Sequence, residues 1–310
     1  MLKLFKDDRK VAGIIGLAGL LGLLLANTIA DFSHQIEGLH YISELALALF
    51  FFMIGLELKT EMTHGVFAKK SALLIPGLAA VLGALVPAGL YFLVTRDDPI
   101  ASSGWAIPMA TDATFAIAVF ALFGSRMPNG SRQFLLALAI VDDLFAIAVI
   151  AIFLRTDVIT ALLVTGSALL GMLVPTRLTD RVMKPLIPIN NAIVLPLYAF
   201  CALAIQLDTN VVAVVGSTVG IAVLLRVVGK TAGISLGAYL GSKLVKDALP
   251  FSNYFRISVL GGIGFTVAFF VNDLVFAKQH EFHKQAIVAS LVAGLVSAGL
   301  AAITLRIGKK

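Results

Sequence analysis

The chain alternates long apolar runs with short polar joints. The runs fall at approximately 11–30, 42–58, 71–94, 105–123, 133–154, 157–175, 186–207, 211–240, 256–276 and 285–305. Most come close to the roughly 20 residues a helix needs to cross the hydrocarbon core of a bilayer. The pattern predicts an all-α integral membrane protein of about ten transmembrane helices, organised as a single membrane domain over residues 1–310. The run 211–240 is long for one helix and holds several glycines, so the count is most open there.

Two of the runs are interrupted. The fourth reads GWAIPMATDATFAIAVFALFG, with Pro108 followed by the mid-span polar residues Thr111, Asp112 and Thr114. The ninth reads ISVLGGIGFTVAFFVND, with Gly261, Gly262 and Gly264 crowded before Thr266. In each, a Phe-centred apolar stretch follows the interruption: ATFAIAVF in one, GFTVAFF in the other. With their flanking runs they make two three-helix units, approximately 71–154 and 211–306, of opposite topology. Interrupted helices at corresponding positions of inverted repeats point to a transporter site at the bilayer midplane. The glycines taken alone are equally open to a second reading, close helix packing; Asp112 in the matching helix favours a break. Broken backbone at membrane depth must line protein or water. The half-helix ends carry opposite partial charges, which would favour Asp112 near the positive ends and Lys230 near the negative ones.

Composition narrows the class further. Hydrophobic residues make up 59% of the 310 positions and charged residues 14%, against roughly 45–50% and 25% in soluble domains. Mean hydropathy is +0.98. The first run follows basic residues, like a signal peptide, yet has no persuasive A-x-A cleavage site and reads as a retained span. The lone Cys201 excludes a disulfide framework or a cysteine metal site.

The net charge of +6 does not imply nucleic acid, because the basic residues cluster in alternate joints. Lys3, Lys6, Arg9 and Lys10 fall on one side, with Lys59, Lys69, Lys70, Arg126 and Arg132. Arg177, Arg181, Lys184, Lys243, Lys246, Arg256, Arg306, Lys309 and Lys310 share that side. The opposite joints hold only Arg96, Arg155, Lys278 and Lys284. The positive-inside rule then places both termini in the cytoplasm.

Candidate chemistry lies in the ionisable groups within apolar sequence: Asp112, Lys230, and the adjacent Asp142 and Asp143 of LALAIVDDLFAIAVIAIF. Each costs about 2.5–3.5 kcal/mol at the centre of a span. One aspartate could simply glue helices through Lys230, but that leaves the second carboxylate unexplained. Adjacent helical positions project about 100° apart, so the two face different partners. Hard oxygen ligands suit Na⁺ or Li⁺, and a buried carboxylate also competes for protons. Thr111 and Thr114 offer neutral oxygens, unless their hydroxyls bond back to the helix.

GWAIPMATDATFAIAVFALFGSR, LALAIVDDLFAIAVIAIF, FFMIGLELKTEM, VGKTAGISL and LGGIGFTVAFF together resemble the NhaA family of sodium/proton antiporters, covering most of the chain. The resemblance implies electrogenic Na⁺(Li⁺)/H⁺ exchange by alternating access in a bacterial inner membrane, with no cofactor beyond the transported ions. It implies Asp143 as principal cation ligand with Asp142 beside it, Asp142 pairing with Lys230, and Asp112, with Thr111, supporting the site. It also assigns Glu57 and Glu61, four residues apart, together with Asp180, to a cytoplasmic funnel and pH regulation. Without it, Glu57 and Glu61 read as a solvated helix end beside Lys59. Glu44 falls where the family has an acidic residue.

The chain departs from the family too. The family usually has twelve spans; two helices are missing here between the Asp142–Asp143 helix and LPLYAF. The family's pH-linked histidine in that region has no counterpart, and His34, His40, His64, His280 and His283 sit in joints or near span ends. The outer hairpin that serves a homodimer is hard to find in the short Phe32–Tyr41 joint, which leaves the dimer open. A channel would need rings of carbonyls or charges around a pore. An intramembrane aspartyl protease would need two facing aspartates sharing a proton, with Asp112 and Asp143 the nearest mimic. One asymmetric Asp–Asp–Lys cluster with inverted repeats fits alternating access better than a channel, and the protease leaves the glycine-rich span and Lys230 unexplained.

Overall fold

The structure, a computed structural model, describes residues 7–29, 31–64, 70–153, 158–207, 211–245 and 248–307. The side chains of His34, His40, Glu44 and His64 lie outside the described residues. Among the described residues every regular element is helical. The main helices are α1 (Asp8–Thr28), α2 (Glu37–His64), α3 (Lys70–Thr95), α4 (Pro99–Met109), α5 (Ala113–Arg126) and α6 (Gly130–Phe153). They continue with α7 (Val158–Leu173), α8 (Thr176–Ala202), α9 (Thr218–Ser242), α10 (Phe251–Gly262), α11 (Thr266–Phe276) and α12 (His280–Arg306).

Seven of these helices are individually long and apolar enough to cross a membrane. The pairs α4–α5 and α10–α11, bent by 45° and 49° at their breaks, raise the number to nine. The remaining expected span, 157–175, is α7, apolar but only 16 residues long. The run 211–240 is divided: a short helix, Val211–Val215, ends before Gly216, and Ser217 then caps α9 by accepting a hydrogen bond from the Gly220 amide at 3.0 Å. A serine N-cap satisfies an orphan amide of the first turn, so the span proper begins at Thr218. In α8 the helix passes through a π-turn at Asn190–Val194, between Pro188 and Pro196. Prolines inside a helix remove i→i−4 hydrogen bonds, and such bulges absorb the mismatch.

The chain divides into two compact units, Met1–Ala68 with Ile150–Asn210, and Lys69–Val149 with Val211–Lys310. In the first, α2 packs on α7 and α1 on α8. Gly55 and Gly171 sit in the α2–α7 seam, where a Cβ on either would collide with the facing backbone. The end of α8 is tied to α1 by Asn27, which donates to the Ile205 carbonyl at 2.9 Å and accepts from the Leu207 amide at 2.7 Å.

In the second unit the principal seam joins α9 to α3. Gly229, Gly233, Gly237 and Gly241 recur every fourth residue and form one stripe along α9. Added Cβ atoms would strike Pro87, Leu82, Leu78 and Ile75 respectively. The partners descend α3 as the glycines ascend α9, so the two helices run antiparallel with their backbones in contact. Small residues give this approach in lipid, where dispersion rather than water expulsion drives helix association. Around the first bent pair, Ala116 and Phe120 pack with Phe134, Leu135, Leu138, Tyr254 and Ile257 in the apolar core.

Gly237→Leu, which forces a side chain into the α3 backbone, is expected to destabilise the protein by at least about 1–3 kcal/mol. The same change at Gly77, whose Cβ position is open, should leave the melting temperature in detergent close to that of the unmodified protein.

Candidate functional site

The two bent helices meet at their breaks, and the interruptions satisfy one another. The Asp112 amide donates to the Ile263 carbonyl at 2.8 Å, and the Thr111 hydroxyl donates to the Gly261 carbonyl at 2.9 Å. The Asp112 carboxylate caps α5 by accepting from the Phe115 amide at 3.2 Å. Its other oxygen accepts from the Thr266 amide at 3.0 Å and the Thr266 hydroxyl at 2.7 Å, at the first residue of α11. One buried carboxylate thus serves the positive N-terminal ends of two half-helices, where the helix dipole favours a negative charge. A Cβ on Gly261 or Gly262 would meet the side chains of Ile234 and Ser297 respectively.

Asp142 and Lys230 come together within the same unit. Lys230, fully buried on α9, places Nζ 2.8 Å from both carboxylate oxygens of Asp142 on α6, which is itself buried. Asp143 follows on the same helix but is partly exposed. It lies near enough for its charge to act on Lys230. The 100° step between neighbouring helical positions gives the aspartates these different surroundings.

Among the described residues the largest fully buried side chain is Arg226, one helical turn before Lys230. Its Nη2 donates to the Ala110 carbonyl, just past the C-terminal end of α4. The cation at that negative helix end is therefore Arg226 rather than Lys230. Arg226 is not among the candidate residues that the sequence singles out. Its signal was there: a second cation in LLRVVGK, four residues from Lys230 and so on the same helical face.

The candidate residues divide between the two units. Glu57 and Glu61 lie on α2, Glu57 exposed and Glu61 partly so. Asp180 is exposed near the start of α8, among Arg177, Arg181 and Lys184. All three belong to the first unit, whereas Thr111, Asp112, Asp142, Asp143, Lys230, Gly261, Gly262 and Gly264 belong to the second. Among the described residues, no three or more His, Cys, Asp or Glu side chains converge as metal ligands.

An all-α, multi-pass membrane chain with two broken helices joined at buried charges has the construction of a secondary transporter. Comparison with known proteins narrows this to a family. The Na⁺/H⁺ antiporter 1 family matches residues 19–180 and 169–305. Na(+)/H(+) antiporter NhaA 2 of Clavibacter michiganensis subsp. michiganensis is 31% identical, covering 99% of this chain and 92% of that protein. NhaA of Vibrio campbellii is 31% identical over 95% and 92% of the two chains, and NhaA of Mannheimia succiniciproducens 34% over 77% and 75%. The chain belongs to the Na⁺/H⁺ antiporter 1, or NhaA, family.

Thr266→Val removes the hydroxyl donor from a buried carboxylate at nearly constant volume. The expected cost is about 1.5–3 kcal/mol, read as a lower melting temperature in detergent. Thr266→Ser, which keeps the hydroxyl, should lose much less.

Proposed function

We propose that this protein exchanges Na⁺ or Li⁺ for protons by alternating access across the bacterial cytoplasmic (inner) membrane, with both termini on the cytoplasmic side. The observation that carries the reading is the buried Asp142–Lys230 pair, 2.8 Å between charged atoms, with Asp143 next to it and the helix breaks close by in chain and unit. Asp143, partly exposed, is the group a cation can reach and a proton can occupy; competition between the two at one carboxylate couples their movements. Asp142 is held by Lys230 until a cation draws it away. A pair made and broken during the cycle gives the protein a second proton-linked step, so that more protons move than sodium ions and the exchange is electrogenic.

The remaining assignments follow from the same reading. Asp112 and Thr111 hold the crossing, and backbone carbonyls, hydroxyls or water complete the cation's oxygen shell, as suits a small hard ion. The segments 71–154 and 211–306 act as the two inverted repeats. Glu57, Glu61 and Asp180 serve as the acidic groups that gather cations and respond to pH at the cytoplasmic side. Na⁺, Li⁺ and H⁺ are the ligands, the bilayer is the solvent, and a homodimer is compatible with this scheme without being required by it.

The test is dissipation of a pH gradient in proteoliposomes on addition of Na⁺, Li⁺ or K⁺. Na⁺ and Li⁺ should release the gradient and K⁺ should not. Asp143→Ala should abolish the Na⁺ response, while Asp142→Asn should reduce it less. Unimpaired exchange by Asp143→Ala would refute the assignment of the cation ligand.

A further inference from the structure

The seam between α12 and the second broken helix gathers polar groups that have no protein partner. Among the described residues eight buried side-chain atoms lack a hydrogen bond, and five of them fall here. They are Asn272 Oδ1, Ser290 Oγ, Ser297 Oγ, and Nε and Nη1 of Arg226. None of these four residues is more than 1% exposed.

One face of α12 brings them into line. His283, Ser290 and Ser297 follow one another at seven-residue intervals, two helical turns each, so they share a face over about 21 Å. Contacts at three levels show what that face looks onto. His283 Nε2 lies 2.7 Å from Oδ1 of Asp273, and the His283 carbonyl accepts from Asn272 Nδ2 at 3.1 Å. Gly294 faces the backbone of Gly264, and Ser297 Oγ faces Gly262. The guanidinium of Arg226 reaches the same break, against Gly264. The line thus runs from the partly exposed His283–Asp273 pair at the α11–α12 joint to the crossing of the broken helices.

The donor and acceptor types decide what can serve it. Asn272 Oδ1 only accepts, the Arg226 nitrogens only donate, and the serine hydroxyls do both. A cation would suit the first and an anion the second; water suits all of them. Buried polar groups of this kind hold ordered water where there is room for it. Room exists midway: a Cβ on Gly294 would meet only the Gly264 backbone, at 3.4 Å and beyond.

We propose that this seam is a hydrated half-path from the α11–α12 joint to the breaks, its ordered waters bridging Asn272, Ser290, Arg226 and Ser297 and carrying protons to or from the ion site. The transport of protons rests on the antiport reading; the hydration does not. A proton entering the line at one end displaces one at the other, so the waters and hydroxyls are the same after each transfer.

Hydration is tested in a Cys201→Ala background, which removes the chain's one thiol. Ser290→Cys in proteoliposomes receives a brief pulse of hydroxyl radicals formed from water in place, and oxidation is read by mass spectrometry. Its thiol should be oxidised several-fold faster than that of Ala289→Cys, equally buried and one helical position off the line. Equal rates mean a dry seam and overturn the proposal. Proton passage is read as the rate of Na⁺-induced gradient dissipation at saturating Na⁺. Gly294→Ala fits without a clash but takes the space midway, so it should slow exchange several-fold with a melting temperature no lower. Ser290→Ala removes a hydroxyl without adding volume; it should also slow exchange, and it decides the matter if Gly294→Ala does not accumulate in the membrane. Unchanged rates in these variants overturn the half-path. If the unmodified protein moves no protons in response to Na⁺, the antiport reading fails, and the thiol comparison still decides for or against a hydrated seam.

Discussion

The Asp112 carboxylate is the interaction on which the second unit depends. Two helices broken inside an apolar chain expose backbone groups that lipid cannot satisfy, and three of them, the Phe115 and Thr266 amides and the Ile263 carbonyl, are paired at this residue. Its side chain reaches the first turns of α5 and α11, and its amide fills the Ile263 carbonyl. Thr111 and Thr266 complete the junction with short hydrogen bonds of 2.9 and 2.7 Å. A single anion therefore holds together two helices about 150 residues apart in sequence. It also sets a carboxylate in the interior of a unit that holds two buried cations, Arg226 and Lys230.

Those cations divide between two positions on one face of α9. Lys230 is held by the Asp142 carboxylate, while Arg226 is held by a carbonyl and by enclosure. The chemical difference between them matters more than the shared charge. An ammonium can lose its proton when its partner leaves, whereas a guanidinium cannot. A site with one cation of each kind has a variable charge and a constant one. The same division separates the aspartates: Asp142 is buried against Lys230, Asp143 partly open.

Much of this organisation was legible in the sequence, because it rests on rules that lipid enforces locally. Apolar runs of the right length gave the helices, and Pro108, Asp112 and the clustered glycines marked both breaks. Four features were not legible. The end of the short helix before α9 depends on Ser217 acting as a cap, and a serine after a glycine in an apolar run says little until its partner amide is placed. Arg226 looked like any basic residue because nothing local marks a guanidinium enclosed by backbone from two distant helices. His283, placed by the sequence only in a joint or near a span end, is partly exposed, with Nε2 2.7 Å from the Asp273 carboxylate. The glycines of α9 were noted only as a threat to helix continuity, since a four-residue spacing carries meaning once the facing helix is known.

That glycine stripe bears on how the site can move. Gly229, Gly233, Gly237 and Gly241 bring the α9 backbone against α3, so α9 cannot shift alone without opening a seam that has no side chains to fill the gap. Interlocked packing of this kind is bistable rather than continuously deformable. Arg226 and Lys230 ride on α9, so they are fixed relative to α3. The carboxylates ride on α5 and α6, and Asp112 is joined to α11 by hydrogen bonds that can be remade. A change in how the aspartates face their cations is therefore easier through movement around the breaks than through movement of the α3–α9 pair. The rigid element carries the positive charges, and the interrupted helices supply the freedom.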